Sequence, residues 1–304
     1  SWLLDPYGAR RQQGKAARAR IEVADAEVDA AQLLVLLNLT NAYVDLRYRQ
    51  QVLRIRHQEI RSRRQTLELT QTLFDKSSAT RLDLVRAEAR LSEAEASVPN
   101  ARAAIKRQQY QIAGLLGVVP GALDINLDDG VMSHPSMSAD VGIPADILRN
   151  RPDVRIAERI YYANVAEVGV AQAQLYPQLS LSGAITLASI GSAAHGSEYF
   201  FGPTLTLPAL PNGPRKGALA AQQSRARQAH TTWQSTVLDA IGEVETAITD
   251  YSAASSAAGA SQKTVRLYRE AANLTRDLVL RDSATLGDLL DAEESITTAE
   301  LTLA

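Results

Sequence analysis

The side chains that could carry out chemistry in this sequence are few and scattered. The chain has no cysteine, which excludes thiolate catalysis, disulfides and cysteine-ligated metal sites. Its histidines lack metal-ligand spacing, and there is no Ser-His-Asp set, phosphate-binding loop or dinucleotide glycine motif. The four histidines are His57, His134, His195 and His230. We therefore expect a protein that is not an enzyme and that holds no metal or cofactor.

Arginines recur at a spacing of seven in the first half of the chain and could form a basic surface. One stripe is Arg47, Arg54 and Arg61, and a second is Arg49, Arg56 and Arg63. On a helix the two stripes lie about 200° apart. Because Glu59 and Glu68 interrupt them and the formal net charge is −2, we interpret both as a solvated helix face. We expect no binding to nucleic acid.

Two Thr-x-x-Asp pairs have the spacing of a helix start. Thr80 and Asp83 form the first pair, and Thr285 and Asp288 form the second. In this pattern the hydroxyl and the carboxylate satisfy backbone N–H groups at the first turn of a helix. Asp291 follows the second pair and has no capping role.

Long helices must position these groups. The segment from about residue 8 to Asp75 has no proline and consists largely of good helix formers. An apolar seam repeats every seven residues: Leu39, Leu46, Leu53, Ile60, Leu67 and Phe74. Such a helix would be on the order of 100 Å long. The break at 76–78 predicts a short tip, followed by a return helix in which Pro99 predicts a kink or a fresh start.

The chain repeats itself at an offset of 205 residues without a gap. Ser78-Ala79-Thr80 matches Ser283-Ala284-Thr285, and Asp83-Leu84 matches Asp288-Leu289. A gapless copy over some 80 positions outweighs any short motif. At one matched position the charge changes sign, because Asp291 corresponds to Arg86. We therefore expect two long antiparallel helical hairpins of the same design.

The segments between the two hairpins differ in character. Residues 117–150 lose periodicity and predict a connector, and a helical pattern runs from about Ala145 to Leu175. Alternating residues at 179–187 and 199–207, around a small-residue loop at 189–197, predict a β-hairpin. The repeat then predicts that another β-hairpin precedes Ser1, with 1–4 as the tail of its last strand. The expected divisions are 1–116, 117–150, 151–177, 178–210 and 211–304.

Several of these segments resemble the outer-membrane efflux proteins of the TolC family, most closely its NodT/OprM-type lipoprotein branch. Residues 151–159 (RPDVRIAER) and 166–183 (AEVGVAQAQLYPQLSLSG) resemble the family signature. Residues 2–8 (WLLDPYG) are similar to the start of its first long helix, and 285–292 (TLGDLLDA) to its periplasmic tip. Asp282-Ser283 stand where the family usually has glycine. Because the family's signal peptide, lipidated cysteine and first hairpin are missing, we expect a fragment of a longer lipoprotein.

The resemblance implies a mainly α fold, with very long antiparallel helical hairpins in an α-barrel and a small β-hairpin in a trimeric outer-membrane β-barrel. It implies a homotrimer that acts as the passive exit duct of a tripartite efflux pump. The partners would be a periplasmic adaptor, an inner-membrane RND-type transporter and outer-membrane lipid. The location would be the outer membrane of a Gram-negative bacterium, with most of the chain in the periplasm.

The resemblance also assigns candidate gate residues. Asp288 and Asp291 stand where the family has acidic residues facing the periplasmic aperture, and threefold symmetry would make each a ring. Arg281 or Arg276 would lock this gate. Asp288 has two compatible roles, as a cap and as an aperture residue, whereas we interpret Thr80 and Asp83 at the first tip as a structural cap.

One alternative function remains open at this point. The long helices could belong to a periplasmic coiled-coil protein or an adaptor that forms no channel. An adaptor should carry a split lipoyl-like β-domain around a single hairpin. The β-hairpin at 179–207 and the gapless repeat favour the duct.

Overall fold

The structure is a computed structural model that describes residues 2–120, 122, 127, 130, 150–190, 194–208 and 212–304. Most of the predicted connector at 117–150 lies outside the described residues. The described chain is mainly helical with a small antiparallel sheet, which confirms the predicted fold class. None of the described helices carries the sustained apolar run needed to cross a bilayer.

Five long helices make up most of the described chain. They are α1 (Ala9–Asp75), α2 (Arg81–Leu115), α3 (Pro152–Ala173), α4 (Gly213–Leu280) and α5 (Leu286–Leu303). The 67 residues of α1 confirm the first long helix, and α3 begins with a proline in its first turn. Helix α2 is continuous through Pro99, so the fresh start allowed for there does not occur. Val98 and Ile105 are buried on either side, and their packing offsets the one hydrogen bond that proline cannot make.

The internal repeat is visible in the helix ends. Helices α1 and α4 end at Asp75 and Leu280, and helices α2 and α5 begin at Arg81 and Leu286. Each pair is separated by 205 residues, the offset found in the sequence. The repeat therefore sets the helix boundaries as well as the residue pattern.

The sheet has three antiparallel strands in the order β1 (Trp2–Leu4), β2 (Gln178–Ile190) and β3 (Ala194–Thr206). Trp2 pairs with Leu181, so the first residues form a strand as predicted. The hairpin is longer than predicted, because Ser189 pairs with His195 and Ile190 with Ala194. The predicted loop at 189–197 is therefore largely strand. The backbone of this segment pairs across the two strands, although its residues lack the alternation of apolar and polar side chains that indicates a strand.

The chain divides into two compact units. The first comprises 1–32 and 141–246. Within it α3 is joined to α1 by the ion pairs Arg155–Asp29 (2.8 Å) and Arg20–Glu167 (2.7 Å). Gly169 on α3 allows a close approach, since a Cβ there would lie 2.9 Å from Cγ of Gln12. Exposed ion pairs contribute little each, so this packing stabilises the unit more than the charges do.

The second unit comprises 33–140 and 247–304 and contains two apolar clusters. In one, Leu46 of α1 packs with Ile105 and Ile112 of α2. In the other, Val279 and Leu289 pack with partly buried residues near the end of α1. Leu46 is fully buried and the other members of the predicted seam are half-buried, so the seam faces protein as its spacing predicts.

The prediction that both arginine stripes are solvated is wrong at two positions. Arg47 and Arg63 are buried, whereas Arg54 and Arg61 are exposed. Arg47 donates to Gln50 Oε1 (2.7 Å) and stacks over a tyrosine ring, and its guanidinium occupies the space that a Cβ of Gly130 would need. The spacing of seven placed both arginines on faces of α1, but the protein segments that cover those faces are distant in sequence.

Candidate functional site

The tip of the second hairpin is a tight turn between α4 and α5. Ser283 N–H donates to Leu278 O (2.9 Å) and Asp282 N–H to Val279 O (3.1 Å), the two bonds of a Schellman motif. Asp282 has φ of 59°, in the left-handed region where glycine is the usual residue. Aspartate is among the residues that tolerate this conformation, which explains why the turn forms here without glycine.

The capping box at this tip is formed as the sequence predicts. Asp288 N–H donates to Thr285 Oγ1 (3.1 Å), and the Asp288 carboxylate accepts from Thr285 N–H (2.9 Å) and from its hydroxyl (2.7 Å). These hydrogen bonds from Thr285, the hydroxyl first, hold the pKa of Asp288 below its usual value. The carboxylate is therefore charged at neutral pH and exposed to solvent.

The first tip has the same cap. Thr80 N–H and hydroxyl donate to the Asp83 carboxylate at 3.0 and 2.6 Å. The Thr80 hydroxyl bond, followed by the backbone bond, lowers the pKa of Asp83, with a smaller contribution from Arg86. The structural role predicted for Thr80 and Asp83 is confirmed.

The other candidate gate residues are not all brought together. Asp291 is exposed about one turn after Asp288. Among the described residues, neither aspartate forms an ion pair with Arg281 or Arg276. Arg276 instead donates to Glu293 Oε1 at 3.1 Å. Its partner within this chain is thus a glutamate that the sequence reasoning did not single out.

Glu293 is the centre of a buried polar network. Only 4% of its side chain is exposed, and Oε1 accepts from Ser62 Oγ (2.8 Å) and Thr66 Oγ1 (2.7 Å) on α1. Oε2 accepts from Arg63 (3.2 Å), which is 2% exposed. Together with Arg276 from α4, one carboxylate of α5 therefore binds two other helices.

Arg63 extends this network along α5. Its guanidinium also donates to Leu290 O (3.1 Å) and to Glu294 Oε2 (2.7 Å). Two arginines thus face two glutamates, and the charges balance. Removing one member of a buried ion pair typically costs about 3–5 kcal/mol, because the other charge stays buried without its partner. The network holds the second hairpin on α1 in one position.

The β-hairpin has two chemically different faces. Pairs in the ladder such as Ile185 with Tyr199 and Gly183 with Phe201 share one face, and the alternate pairs share the other. The first face carries Leu179, Leu181, Gly183, Ile185, Tyr199, Phe201, Pro203 and Leu205. The second carries Gln178, Ser180, Ser182, Ala184, Thr186, Phe200, Gly202, Thr204 and Thr206. The apolar face is unprotected in this chain, with Tyr199 82% and Phe201 78% exposed.

Comparison with known proteins matches almost the whole chain. The model of a family described as outer membrane efflux protein matches residues 1–118 and 143–304. Nodulation protein T of Rhizobium leguminosarum bv. trifolii is 34% identical over 310 residues, covering 100% of this chain and 66% of that relative. The chain spans about two thirds of the length of the curated relatives it matches.

Solved structures agree with this similarity. The outer-membrane channel OprN is 31% identical with a TM-score of 0.90, covering 99% of this chain and 69% of that one. The outer membrane protein VceC from Vibrio cholerae has a TM-score of 0.86 at 24% identity, covering 99% of this chain and 72% of that one. The second similarity supports the fold alone.

Proposed function

The chain belongs to the outer membrane efflux protein family, the TolC family, and from this premise we propose that the protein is the exit duct of a tripartite efflux pump. Three copies would enclose a water-filled passage through the outer membrane and into the periplasm. The protein would supply a gated path and no chemical step. The energy would come from an inner-membrane transporter of the RND type, joined to the duct by a periplasmic adaptor.

The observation that carries this proposal is the two-faced β-hairpin. A strand in the wall of a membrane barrel alternates between apolar residues toward lipid and polar residues toward the lumen. The side chains of Ile185, Tyr199 and Phe201 are exposed on one face. Each large apolar side chain gains about 1.5–3 kcal/mol when it leaves water, so outer-membrane lipid is the environment that this face favours.

The polar face fits the lumen of the same barrel. Ser182 and Thr204 exchange a hydroxyl hydrogen bond of 3.1 Å across the strands and remain open to water. A sheet of three strands keeps open edges, and strands from other copies would close them. The open edges of this sheet support closure of the barrel by several chains, as in a homotrimer.

The gate in this proposal is the tip of the second hairpin. Rings of Asp288 and Asp291 would set the charge at the periplasmic aperture, and Arg281 and Arg276 would stand beside them. Opening would move the α4–α5 hairpin along or away from α1, which requires the bonds of Glu293 to α1 to break or to be exchanged. Such a shift between packed helices is a two-state change.

The experiment that tests this function is conduction by the purified protein across a planar bilayer. We expect stepwise currents from a trimer, with a preference for cations that weakens in Asp291→Ala. Arg86→Ala, at the matching position of the first hairpin, should keep the wild-type selectivity. A folded protein that inserts into lipid but passes no current would overturn the duct. A soluble oligomer that does not insert into the bilayer would instead support the coiled-coil alternative.

A further inference from the structure

Phe200 is the one large apolar side chain that the structure describes on the polar face of the β-hairpin. Phe200 pairs with Ala184 in the ladder and therefore shares the face of Ser182 and Thr204. Among the side chains of β2 and β3 that the structure describes, the other members of this face are small or polar. Phe200 is 59% exposed. Among the described side chains, this face therefore presents one aromatic ring beside small and polar residues.

The neighbours of Phe200 leave much of its ring uncovered. Ala184 lies opposite, and a Cβ at Gly202 would be 3.5 Å from the tip of the ring. These neighbouring residues are therefore too small to cover the ring. The ring of the adjacent Phe201, on the opposite face, lies 3.3 Å from the position of a Cβ on Gly183 and is 78% exposed. In a membrane barrel, lipid would cover an exposed ring on the apolar face, whereas a ring on the polar face would stay in contact with the water of the lumen.

The chemistry of an exposed ring on a polar wall favours a particular class of solute. The face of a phenyl ring attracts organic cations and stacks with aromatic groups. The sequences of β2 and β3 contain no lysine or arginine, and Glu198 is their one acidic residue. The charge of the two strands therefore favours cations over anions.

We propose that Phe200 is a contact site in the lumen for aromatic organic cations passing through the barrel. The inference rests on the proposed duct and names the class of solute that its wall retains. Threefold symmetry would place three such rings at one level of the lumen. Solutes of this class would meet a weak binding position there, while inorganic ions would pass.

Current block by benzyltriethylammonium tests this site in the reconstituted protein. We expect the dissociation constant for block to rise about 2- to 5-fold in Phe200→Ala, which corresponds to the usual strength of an exposed cation–π contact. Phe200→Leu keeps an apolar side chain of similar size and should lose affinity to the same extent. Phe200→Tyr keeps the ring and should restore block.

The matched control is Phe201→Ala on the opposite face. It should lower the yield of inserted channels and leave the affinity for the cation within twofold of wild type. Equal affinity in Phe200→Leu and wild type, or no block of a conducting wild-type channel, would overturn the site. Absence of any current from the wild type would instead refute the proposed duct, so the two failures can be distinguished.

Discussion

The two helical tips share one backbone design and differ in what holds them. Ser77 and Asp282 both adopt left-handed φ values, of 62° and 59°, and Thr80 and Thr285 both close capping boxes. Yet Glu88, at the first tip, is exposed, and Glu293, 205 residues later, is buried among four donors. The geometry of each turn is thus encoded locally and repeats with the sequence. The contacts that fix each hairpin to the rest of the protein depend instead on the helix against which it packs.

The partners of Glu293 explain why the two sites diverged. Ser62 and Arg63 of α1 correspond to Leu267 and Tyr268 of α4, which are exposed and offer no charged donor. Glu294, which completes the charge balance with Arg63, corresponds to Ala89. The polar network therefore belongs to the second hairpin alone, among the residues described.

The largest effect should come from removing Glu293. Glu293→Ala takes from Arg63 its one buried carboxylate partner, since Glu294 is 52% exposed, and we expect a loss of about 3–5 kcal/mol in the free energy of unfolding. Glu88→Ala, at the matched exposed position, should change it by less than about 0.5 kcal/mol. Chemical denaturation followed by circular dichroism measures both.

A double variant separates the buried charge from the packing. Arg63→Met combined with Glu293→Leu removes both charges and should recover most of the stability lost in Glu293→Ala. If the double variant is as unstable as the single one, the loss of the buried partner of Arg63 is not the cause of the instability.

The two caps should be equivalent, in contrast to the glutamates. Thr80→Ala and Thr285→Ala each remove the hydroxyl that accepts from the N–H of an aspartate, and each should cost about 1 kcal/mol. Thermal unfolding of the two variants gives the comparison. If the stability lost in one variant is more than twice that lost in the other, the two caps are not equivalent.

Glycine at the left-handed position should stabilise each tip slightly. Ser77→Gly should gain about 0.5 kcal/mol, since relief of the left-handed strain outweighs the greater freedom of glycine in the unfolded chain. Asp282→Gly should gain less, because aspartate tolerates this conformation better than serine does. The melting temperatures of both variants, with Ser78→Gly as a control outside the left-handed position, test this order.

Acid should destabilise both tips, and this is the smallest of the expected effects on stability. The pKa values of Asp83 and Asp288 are lowered in the folded state, so their contribution is complete above the ordinary aspartate pKa of about 3.9 and is lost as the pH falls through the folded values. A melting curve series between pH 6 and pH 2 should show a smaller acid-induced drop for Asp83→Asn with Asp288→Asn than for the wild type. An equal drop would mean that other carboxylates account for the effect.

Local patterns in the sequence predicted the helices, the turns and the caps. Periodicity, the proline-free run to Asp75 and the Thr-x-x-Asp pairs act over a few residues, so they can be read from sequence alone. The buried charges could not be predicted this way, because Arg63 meets Glu293 across 230 residues and a spacing of seven does not reveal what covers a helix face. The hydroxyls of Ser62 and Thr66, one turn apart beside Arg63, were the one available signal of a polar contact.

The most direct test of a gate at the second tip is single-channel recording of Glu293→Gln beside Glu88→Gln. Glutamine keeps the size of glutamate and removes its charge, so the hold of α1 on the second hairpin weakens. The expected result is a higher open probability for Glu293→Gln and wild-type gating for Glu88→Gln. Wild-type gating in both variants, or an equal rise in both, would contradict a gate that is held at Glu293.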